Sequence, residues 1–213
     1  MDPVDVALCL AMDCSASVDF DEFDLMARGT AAALRDAGVI AAATSGPRRA
    51  AAIGLLLWSG VGAQDVALGW TRLDGPESAG ALADAIANVP RIPPPGLTAI
   101  GEGMAAGLAL LARFPGEARR LVMDVSGDGG HNAGRPPGPV RDLAVQAGIT
   151  VNGLAILNEE PDLLDHYSSE VIGGPGSFAM TCADYADFAD AILRKLRREL
   201  APGAVAEAPP PRA

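Results

Sequence analysis

The sequence predicts a three-layer α/β/α fold built on a mostly parallel six-stranded sheet with one antiparallel edge strand. Apolar runs such as residues 4–12 are almost unbroken, which is typical of strands that are covered on both faces. Segments with helical periodicity alternate with these runs, as in open sheets that carry helices on both sides. Residues 60–65 alone separate the second strand from the third, which allows a hairpin but no helical crossover.

The individual segments support this order of strands and helices. Asp19 and Glu22 form a capping pair that predicts the start of the first helix. Asp184 predicts the start of the last helix, whose apolar residues recur from Tyr185 to Leu200. A weak helix is predicted near residues 162–170. The predicted strands are residues 4–12, 50–59, 66–73, 121–126, 149–157 and 177–183.

Length and charge limit the classes of protein that the chain can represent. Its 213 residues predict one domain over residues 1–200 and a disordered Pro/Ala-rich tail over residues 201–213. The formal net charge of −11 argues against a nucleic-acid partner, and no apolar run is long enough for membrane insertion. Three cysteines without CxxC spacing and two histidines support neither a disulfide framework nor a Cys- or His-based metal site.

The start of the chain bears on the compartment in which it works. No basic segment precedes the first apolar run, so no secretion signal is recognised. We therefore expect a cytoplasmic protein from the sequence as written, or a periplasmic or secreted one if an export signal has been removed.

Oxygen-bearing side chains follow three separate segments at the predicted strand ends. Asp13, Ser15 and Ser17 come directly after the first strand, Thr98 opens a helix, and Asp128 follows the fourth strand. Ligands of open α/β sheets bind beyond the carboxyl ends of the strands, which is where these residues are expected. Carboxylate and hydroxyl oxygens are the ligands that Mg²⁺ or Mn²⁺ prefers.

These three segments together resemble a von Willebrand factor A domain over roughly residues 4–200. The resemblance is carried by the pattern DxSxS at residues 13–17, by GLTAIGEGM at residues 96–104, and by a strand that ends in Asp-Gly. The glycine-rich segments VSGDG and HNAG, together with WSG and VIGGPGSF, resemble an uncharacterised bacterial branch of that Rossmann-like fold.

The resemblance implies a metal-ion-dependent adhesion site and a binding function without catalysis. Its ligands would be Asp13, Ser15, Ser17, Thr98 and Asp128, holding Mg²⁺, Mn²⁺ or Ca²⁺, with the aspartates acting partly through water. A protein partner would complete the coordination with an Asp or Glu carboxylate, because neutral hydroxyl ligands leave positive charge on the ion.

Two other interpretations of the same residues stay open at this point. A metal-assisted hydrolase would use the ion to activate water, with His131 as the histidine nearest to the site. A metal-free scaffold would use the hydroxyls as helix caps and the two aspartates as acceptors of backbone amides.

Two other motifs in the chain match known binding motifs only in part. The segment from Asp124 resembles an EF-hand loop, but its twelfth position is Arg135 in place of a bidentate Glu. The glycines at 101, 103 and 107 mimic a dinucleotide-binding fingerprint, but a proline-rich turn precedes them instead of a strand. Close packing of a helix against the sheet is the better explanation of these glycines.

Overall fold

The computed structural model describes residues 1–202, and within that range it contains six strands and seven α-helices. The strands are β1 Val4–Asp13, β2 Ala51–Trp58, β3 Gln64–Leu73, β4 Ala118–Gly127, β5 Ile149–Ile156 and β6 Ala179–Cys182. The helices are α1 Phe20–Arg35, α2 Ala37–Thr44, α3 Pro76–Ala87, α4 Ile100–Ala112, α5 Pro137–Gln146, α6 Leu163–His166 and α7 Phe188–Leu200. A π-helix, Tyr167–Val171, continues directly from α6.

The strands form one sheet in the order β3-β2-β1-β4-β5-β6. Every neighbouring pair is parallel except β2 and β3, which are antiparallel at the edge. The predicted fold class and the predicted hairpin are therefore confirmed. The strand order reverses direction between β1 and β4, which places a crevice beyond the carboxyl ends of these two strands.

Side chains of β1 alternate between the two hydrophobic layers of the molecule. Leu8, Leu10 and Met12 pack into the layer under α1, α2, α3 and α7, whereas Cys9 and Ala11 pack into the layer under α4 and α5. All ten residues of β1 are buried, because parallel neighbours and helices cover the strand on every side. The unbroken apolar run of the sequence is explained by this position at the centre of the sheet.

Helix α4 lies close to the sheet because glycines face it. A Cβ atom at Gly103 would stand 2.6 Å from Cγ of Trp58, and one at Gly107 would stand 3.1 Å from the side chain of Met123. Gly101 faces the carbonyl of Arg135 instead. The packing interpretation of the helix glycines is thus confirmed for Gly103 and Gly107.

Three local features differ from the sequence prediction. Helix α2 was not predicted, since its apolar residues show no one-sided periodicity. The weak helix near 162–170 is a single α-turn followed by a π-helix. Helix α7 begins at Phe188, because Asp184 accepts hydrogen bonds from the amides of Ala186 and Asp187 and closes a separate turn first.

The capping pair at α1 is confirmed, with the Glu22 amide donating to Oδ1 of Asp19 and the Asp19 amide donating to Glu22. None of the helices found in residues 1–202 combines the length and the apolar character needed to cross a membrane. The predicted disordered tail lies outside the described residues from position 203 onward.

Candidate metal site

The candidate site lies where β1 and β4 end side by side. The two strands are parallel, with Met12 opposite Ser126, so Asp13 and Asp128 leave the sheet at the same edge. On the other side of β1, Asp13 is opposite Trp58 at the end of β2. The amide of Cys14 donates to the carbonyl of Trp58 over 2.8 Å, which carries the strand pairing one residue further.

Four of the five predicted side chains form one connected hydrogen-bonded group. The Ser15 amide donates to Oδ1 of Asp13 over 2.7 Å, and the hydroxyl oxygens of Ser15 and Ser17 lie 3.2 Å apart. The Ser17 hydroxyl donates to Oδ1 of Asp128 over 2.7 Å. Asp13, Ser15 and Asp128 are fully buried, whereas Ser17 is exposed, so the group opens to solvent at Ser17.

Thr98, the fifth predicted side chain, lies beside the backbone that follows Asp128. Its Oγ1 would stand 3.4 Å from a Cβ atom at Gly129. Asn132 fixes the threonine by two reciprocal bonds: the Thr98 amide donates to Oδ1 of Asn132 over 2.8 Å, and the Asn132 amide donates to the Thr98 carbonyl over 3.1 Å. The structure thus brings Thr98 to the same edge of the sheet as the two aspartates.

Backbone contacts join the loops that carry these residues. The Ala16 amide donates to the Gly96 carbonyl over 2.8 Å, which ties the Asp13–Ser17 loop to the loop of Thr98. A Cβ atom at Gly96 would stand 3.0 Å from the amide nitrogen of Gly60, so a larger residue would be crowded where these loops meet. Arg91 also holds the Asp13–Ser17 loop, because its guanidinium donates to the carbonyls of both Cys14 and Ser15 over 2.9 Å.

The carboxylate of Asp13 is in an unfavourable position for a negative charge. The pKa of Asp13 is raised from 3.8 to about 7, chiefly by burial and also by the neighbouring Asp128, while the amide of Ser15 and the charge of Arg91 oppose the rise. Its Oδ2 is buried and has no hydrogen-bond partner. A buried acceptor of this kind normally has a partner, and a divalent cation would satisfy both the lone oxygen and the charge.

The donor set fits a hard divalent cation. Across the part of the chain that the structure describes, no three His, Cys, Asp or Glu side chains cluster in a way that would hold a metal. A metal at this edge would therefore depend on two carboxylates together with the hydroxyls of Ser15, Ser17 and Thr98. Such all-oxygen sets suit Mg²⁺, Mn²⁺ or Ca²⁺.

Two buried tyrosines border the site, and neither was predicted to belong to it. The Tyr185 hydroxyl donates to Oδ2 of Asp128 over 2.9 Å and so fixes the carboxylate that Ser17 holds from the other side. The Tyr167 hydroxyl is buried without a partner. A Cβ atom at Gly127 would stand 2.8 Å from Oδ2 of Asp13 and 3.0 Å from the Tyr167 hydroxyl, so a larger residue would fill the space between them.

His131, the residue that the hydrolase hypothesis needs, is half-buried at the side of the site. Its backbone amide donates to Nε2 of His166 over 3.3 Å, and its own Nδ1 is buried without a partner. Burial lowers the pKa of His131, and His166 lowers it further. The imidazole is therefore neutral at pH 7, with no hydrogen bond to any of the five predicted ligands.

The contributions of Tyr185, Tyr167 and Arg91 were not visible in the sequence. Tyr185 follows the apolar spacing of α7, which predicts only a core position. Arg91 stands alone in a proline-rich turn, and its bonds to Cys14 and Ser15 join residues more than 70 positions apart. A π-helix, which often marks functional sites, is the one local signal for Tyr167, and it is visible only in the structure.

A family model described as "Protein of unknown function (DUF1194)" matches residues 3–204. The chain belongs to the DUF1194 family. This result agrees with the predicted resemblance to an uncharacterised branch. No curated protein matches the DUF1194 chain.

Solved structures similar to this DUF1194 chain include von Willebrand factor A proteins. They include a von Willebrand factor type A protein from Catenulispora acidiphila (18% identity, TM-score 0.63, 92% of this chain and 43% of that one). The pilus adhesin SpaC from Lactobacillus rhamnosus GG is similar at 13% identity and TM-score 0.67, over 92% of this chain and 31% of that one.

A third similar structure is proximal thread matrix protein 1 from the mussel byssus with a zinc-occupied MIDAS motif. It shares 16% identity at TM-score 0.62, over 91% of this chain and 47% of that one. The DUF1194 chain therefore spans less than half the length of each of these three proteins. At these identities the likeness establishes the fold, and the von Willebrand factor A fold predicted from the sequence is confirmed.

Proposed function

We propose that this chain is a divalent-metal-dependent protein-binding domain of the adhesion type. Asp13, Ser15, Ser17, Thr98 and Asp128 hold Mg²⁺, or Mn²⁺ or Ca²⁺ in its place. A partner protein binds there through the carboxylate of an Asp or Glu residue. When bound, the cation supplies positive charge and a coordination position open to that carboxylate.

The observation that carries this proposal is the buried, unpartnered Oδ2 of Asp13 within a connected group of oxygen donors. Asp13 supplies negative charge from its buried position in the group, and Asp128 is held in place by Ser17 and Tyr185. The exposed Ser17 lies on the solvent side, where a partner has access. The charged side chains of the group are therefore buried, and a partner can reach the group from the solvent side at Ser17.

The comparisons support the same function at the level of the fold. One similar structure is a pilus adhesin, and another holds zinc in the motif that the resemblance assigns here to Asp13, Ser15, Ser17, Thr98 and Asp128. A binding domain, and not an enzyme, is the function that these neighbours favour.

Calorimetric titration of chelator-treated protein with Mg²⁺, Mn²⁺ and Ca²⁺ tests the proposal. We expect saturable binding at one site in the wild type and none in Asp13→Ala, because the variant lacks the central carboxylate. Asp162→Ala is the matched control, since it removes an exposed Asp that has no part in the proposed site. Each titration is repeated with excess acetate, which stands in for the partner's carboxylate and should tighten metal binding.

Absence of metal binding with and without acetate would overturn the proposal. Equal binding by the wild type and Asp13→Ala would show that the metal binds elsewhere in the protein, which would also overturn the proposal. Circular dichroism of the variant, recorded first, separates loss of the site from loss of the fold.

A further inference from the structure

A cavity of about 810 Å³ lies at the edge of the sheet opposite the candidate metal site. Residues near the starts of three parallel strands line it, namely Val6 of β1, Leu121 of β4 and Thr150 of β5. The amino ends of these strands meet at one edge, whereas Asp13 and Asp128 leave the sheet at the other. The volume is within the range of roughly 300–1,000 Å³ that is usual for small-molecule sites.

The walls of the cavity are mainly apolar. The residues that provide this surface include Val6, Pro47, Leu121, Val145, Pro175 and Phe178. Open space adjoins two glycines of the lining, because a Cβ atom at Gly148 or Gly176 would meet no atom of another segment within 4 Å. A ligand that fills this space would therefore bury hydrocarbon or aromatic surface.

The charged side chains of the lining are mostly basic. Three are arginines, Arg119, Arg120 and Arg198, and one is an acid, Asp5. In the whole sequence the balance is reversed, with 16 Lys and Arg against 27 Asp and Glu. Both carboxylate oxygens of Asp5 accept the amide of Arg48, over 3.2 and 3.0 Å. The lining of the cavity therefore carries a net positive charge, although the protein is acidic.

Two of the arginines are fixed by contacts with uncharged groups. Arg120 donates to the carbonyls of Glu199 and Ala201 over 3.1 and 2.8 Å, at the carboxyl end of α7. Arg198 lies over the ring of Phe178, with 3.7 Å between its guanidinium carbon and the ring centre. These contacts hold both guanidinium groups beside the cavity.

Arg119 and Arg198 form no ion pair with an acidic side chain of residues 1–202. Both side chains are exposed, so a ligand in the cavity can reach them. A guanidinium group binds a carboxylate through charge-assisted hydrogen bonds, which are stronger than bonds between neutral groups. Arginines at the border of an apolar cavity therefore match an anion that carries an apolar body.

A single negative charge suits the cavity better than the two charges of a phosphate group. The carboxyl ends of α5 and α7 both lie at the cavity, and the carboxyl end of a helix carries partial negative charge. Asp5 adds a carboxylate to the same lining. These groups would repel a doubly charged ligand more strongly than a singly charged one.

From these observations we infer that the cavity binds a small monocarboxylate with a hydrocarbon or aromatic body. The carboxylate pairs with the arginines of the lining, and the apolar body packs against the apolar walls. This site is separate from the proposed metal site, because it lies at the other edge of the sheet and needs no cation.

Octanoate, octan-1-ol and acetate test the inference by calorimetry in excess chelator, which removes any cation from the candidate metal site. We expect octanoate to bind at one site. Octan-1-ol lacks the charge and should bind at least about tenfold more weakly, because charge-assisted hydrogen bonds are lost. Acetate lacks the apolar body and should bind at least about a hundredfold more weakly than octanoate.

Arg119→Gln and Arg198→Gln should each weaken octanoate binding at least about threefold, and the double variant at least about tenfold. Both side chains are exposed, so their replacement should leave the fold intact. Arg194→Gln is the matched control, because Arg194 is exposed on α7 but does not line this cavity. It should keep the wild-type affinity for octanoate.

Two-dimensional amide NMR spectra locate the bound ligand. Octanoate should shift the signals of Val6, Leu121 and Gly176 and leave those of the Asp13–Ser17 loop unchanged. Failure of octanoate to bind, or binding no tighter than that of octan-1-ol, would overturn the inference. Wild-type affinity in the double variant, or shifts confined to the Asp13–Ser17 loop, would overturn it as well. None of these outcomes affects the proposed function, which is tested with metal.

Discussion

Within residues 1–202, two pairs of buried carboxylates differ in the groups that surround them. Asp124 and Glu199 share the ammonium group of Lys195, whose Nζ lies 2.8 Å from Asp124 Oδ1 and 2.5 Å from Glu199 Oε1. Asp13 and Asp128 receive only hydroxyl and amide donors. A buried oxygen without a hydrogen-bond partner occurs in both pairs, at Oδ2 of Asp13, Oδ2 of Asp124 and Oε2 of Glu199. The first pair is supplied with a cation by helix α7, whereas the second pair is not.

The presence of an internal cation beside one pair and not the other indicates that the two pairs have different roles. Burial of a charge without a partner is costly, and an internal lysine offsets part of that cost. Even so, burial raises the pKa of Glu199 above its ordinary value, with Asp124 adding to the rise and Lys195 opposing it. At Asp13 the same cost remains unless a cation binds from outside. One pair is a fixed part of the core, and the other is the pair that we propose binds a metal.

The largest effect is expected from removal of the internal cation. Lys195→Met leaves Asp124 and Glu199 buried without their partner, which should lower the free energy of unfolding by about 3–5 kcal/mol. Urea unfolding measures the loss. Arg197→Met is the control on the same helix, since its ion pair with Asp36 is exposed and should contribute little to the free energy of unfolding. Equal losses in the two variants would show that Lys195 is not needed to neutralise the pair.

The second pair should respond in the opposite direction when its charge is removed. Asp13 in the metal-free fold keeps its proton up to about pH 7, whereas the unfolded chain releases it near 3.8. The contribution of Asp13 to the free energy of unfolding therefore falls as pH rises between these values. Asp13→Asn removes that contribution and should stabilise the metal-free protein at pH 8 by roughly 1–3 kcal/mol.

Urea unfolding at pH 5 and pH 8, with chelator or with Mg²⁺, measures this change. The advantage of Asp13→Asn should be smaller at pH 5, where Asp13 is protonated in the wild type. Added Mg²⁺ should stabilise the wild type and leave the variant unchanged, because ligand binding stabilises only a fold that binds it. A variant that is less stable than the metal-free wild type at pH 8 would contradict the unfavourable charge at Asp13.

A smaller effect should separate the two tyrosines that border the site. Tyr185→Phe removes the 2.9 Å hydrogen bond to Asp128, so we expect metal affinity to fall about three- to tenfold. Tyr167→Phe removes a hydroxyl that has no partner and should change the affinity less than about twofold. Calorimetry compares the two variants directly. The reverse order would mean that the Tyr167 hydroxyl, and not that of Tyr185, supports the site.

The smallest effect is expected at His131. Because its side chain bonds to none of the five proposed ligands, His131→Ala should keep Mg²⁺ affinity within about twofold of the wild type. Binding of acetyl-Gly-Asp-Gly-amide should likewise be unchanged. A metal-dependent hydrolysis of p-nitrophenyl phosphate that this variant abolishes would favour the hydrolase hypothesis over the binding function.

The architecture was predictable from local patterns, and so was the position of the proposed ligands. The apolar run of β1 indicated a central strand, and the parallel pairing of β1 with β4 brings Asp13 and Asp128 to one edge. Whether these residues bind a metal remains a prediction.

The surroundings of the site were not predictable, because they depend on contacts between distant segments. Arg91 reaches Cys14, Tyr185 reaches Asp128, and α2 follows no one-sided pattern of its own. These features share one reason. The periodicity of a segment shows which of its faces is buried, but it does not show which distant residue packs against that face.

The central position of β1 also determines how the domain would carry a mechanical load. The site begins at Asp13, the last residue of the strand, and Val4 begins the strand at the opposite edge of the sheet. Tension applied between the proposed site and Val4 would run along β1. It would act on the hydrogen bonds to β2 and β4 in shear, across both ladders at once. Such a load is shared among many bonds and does not open them one after another.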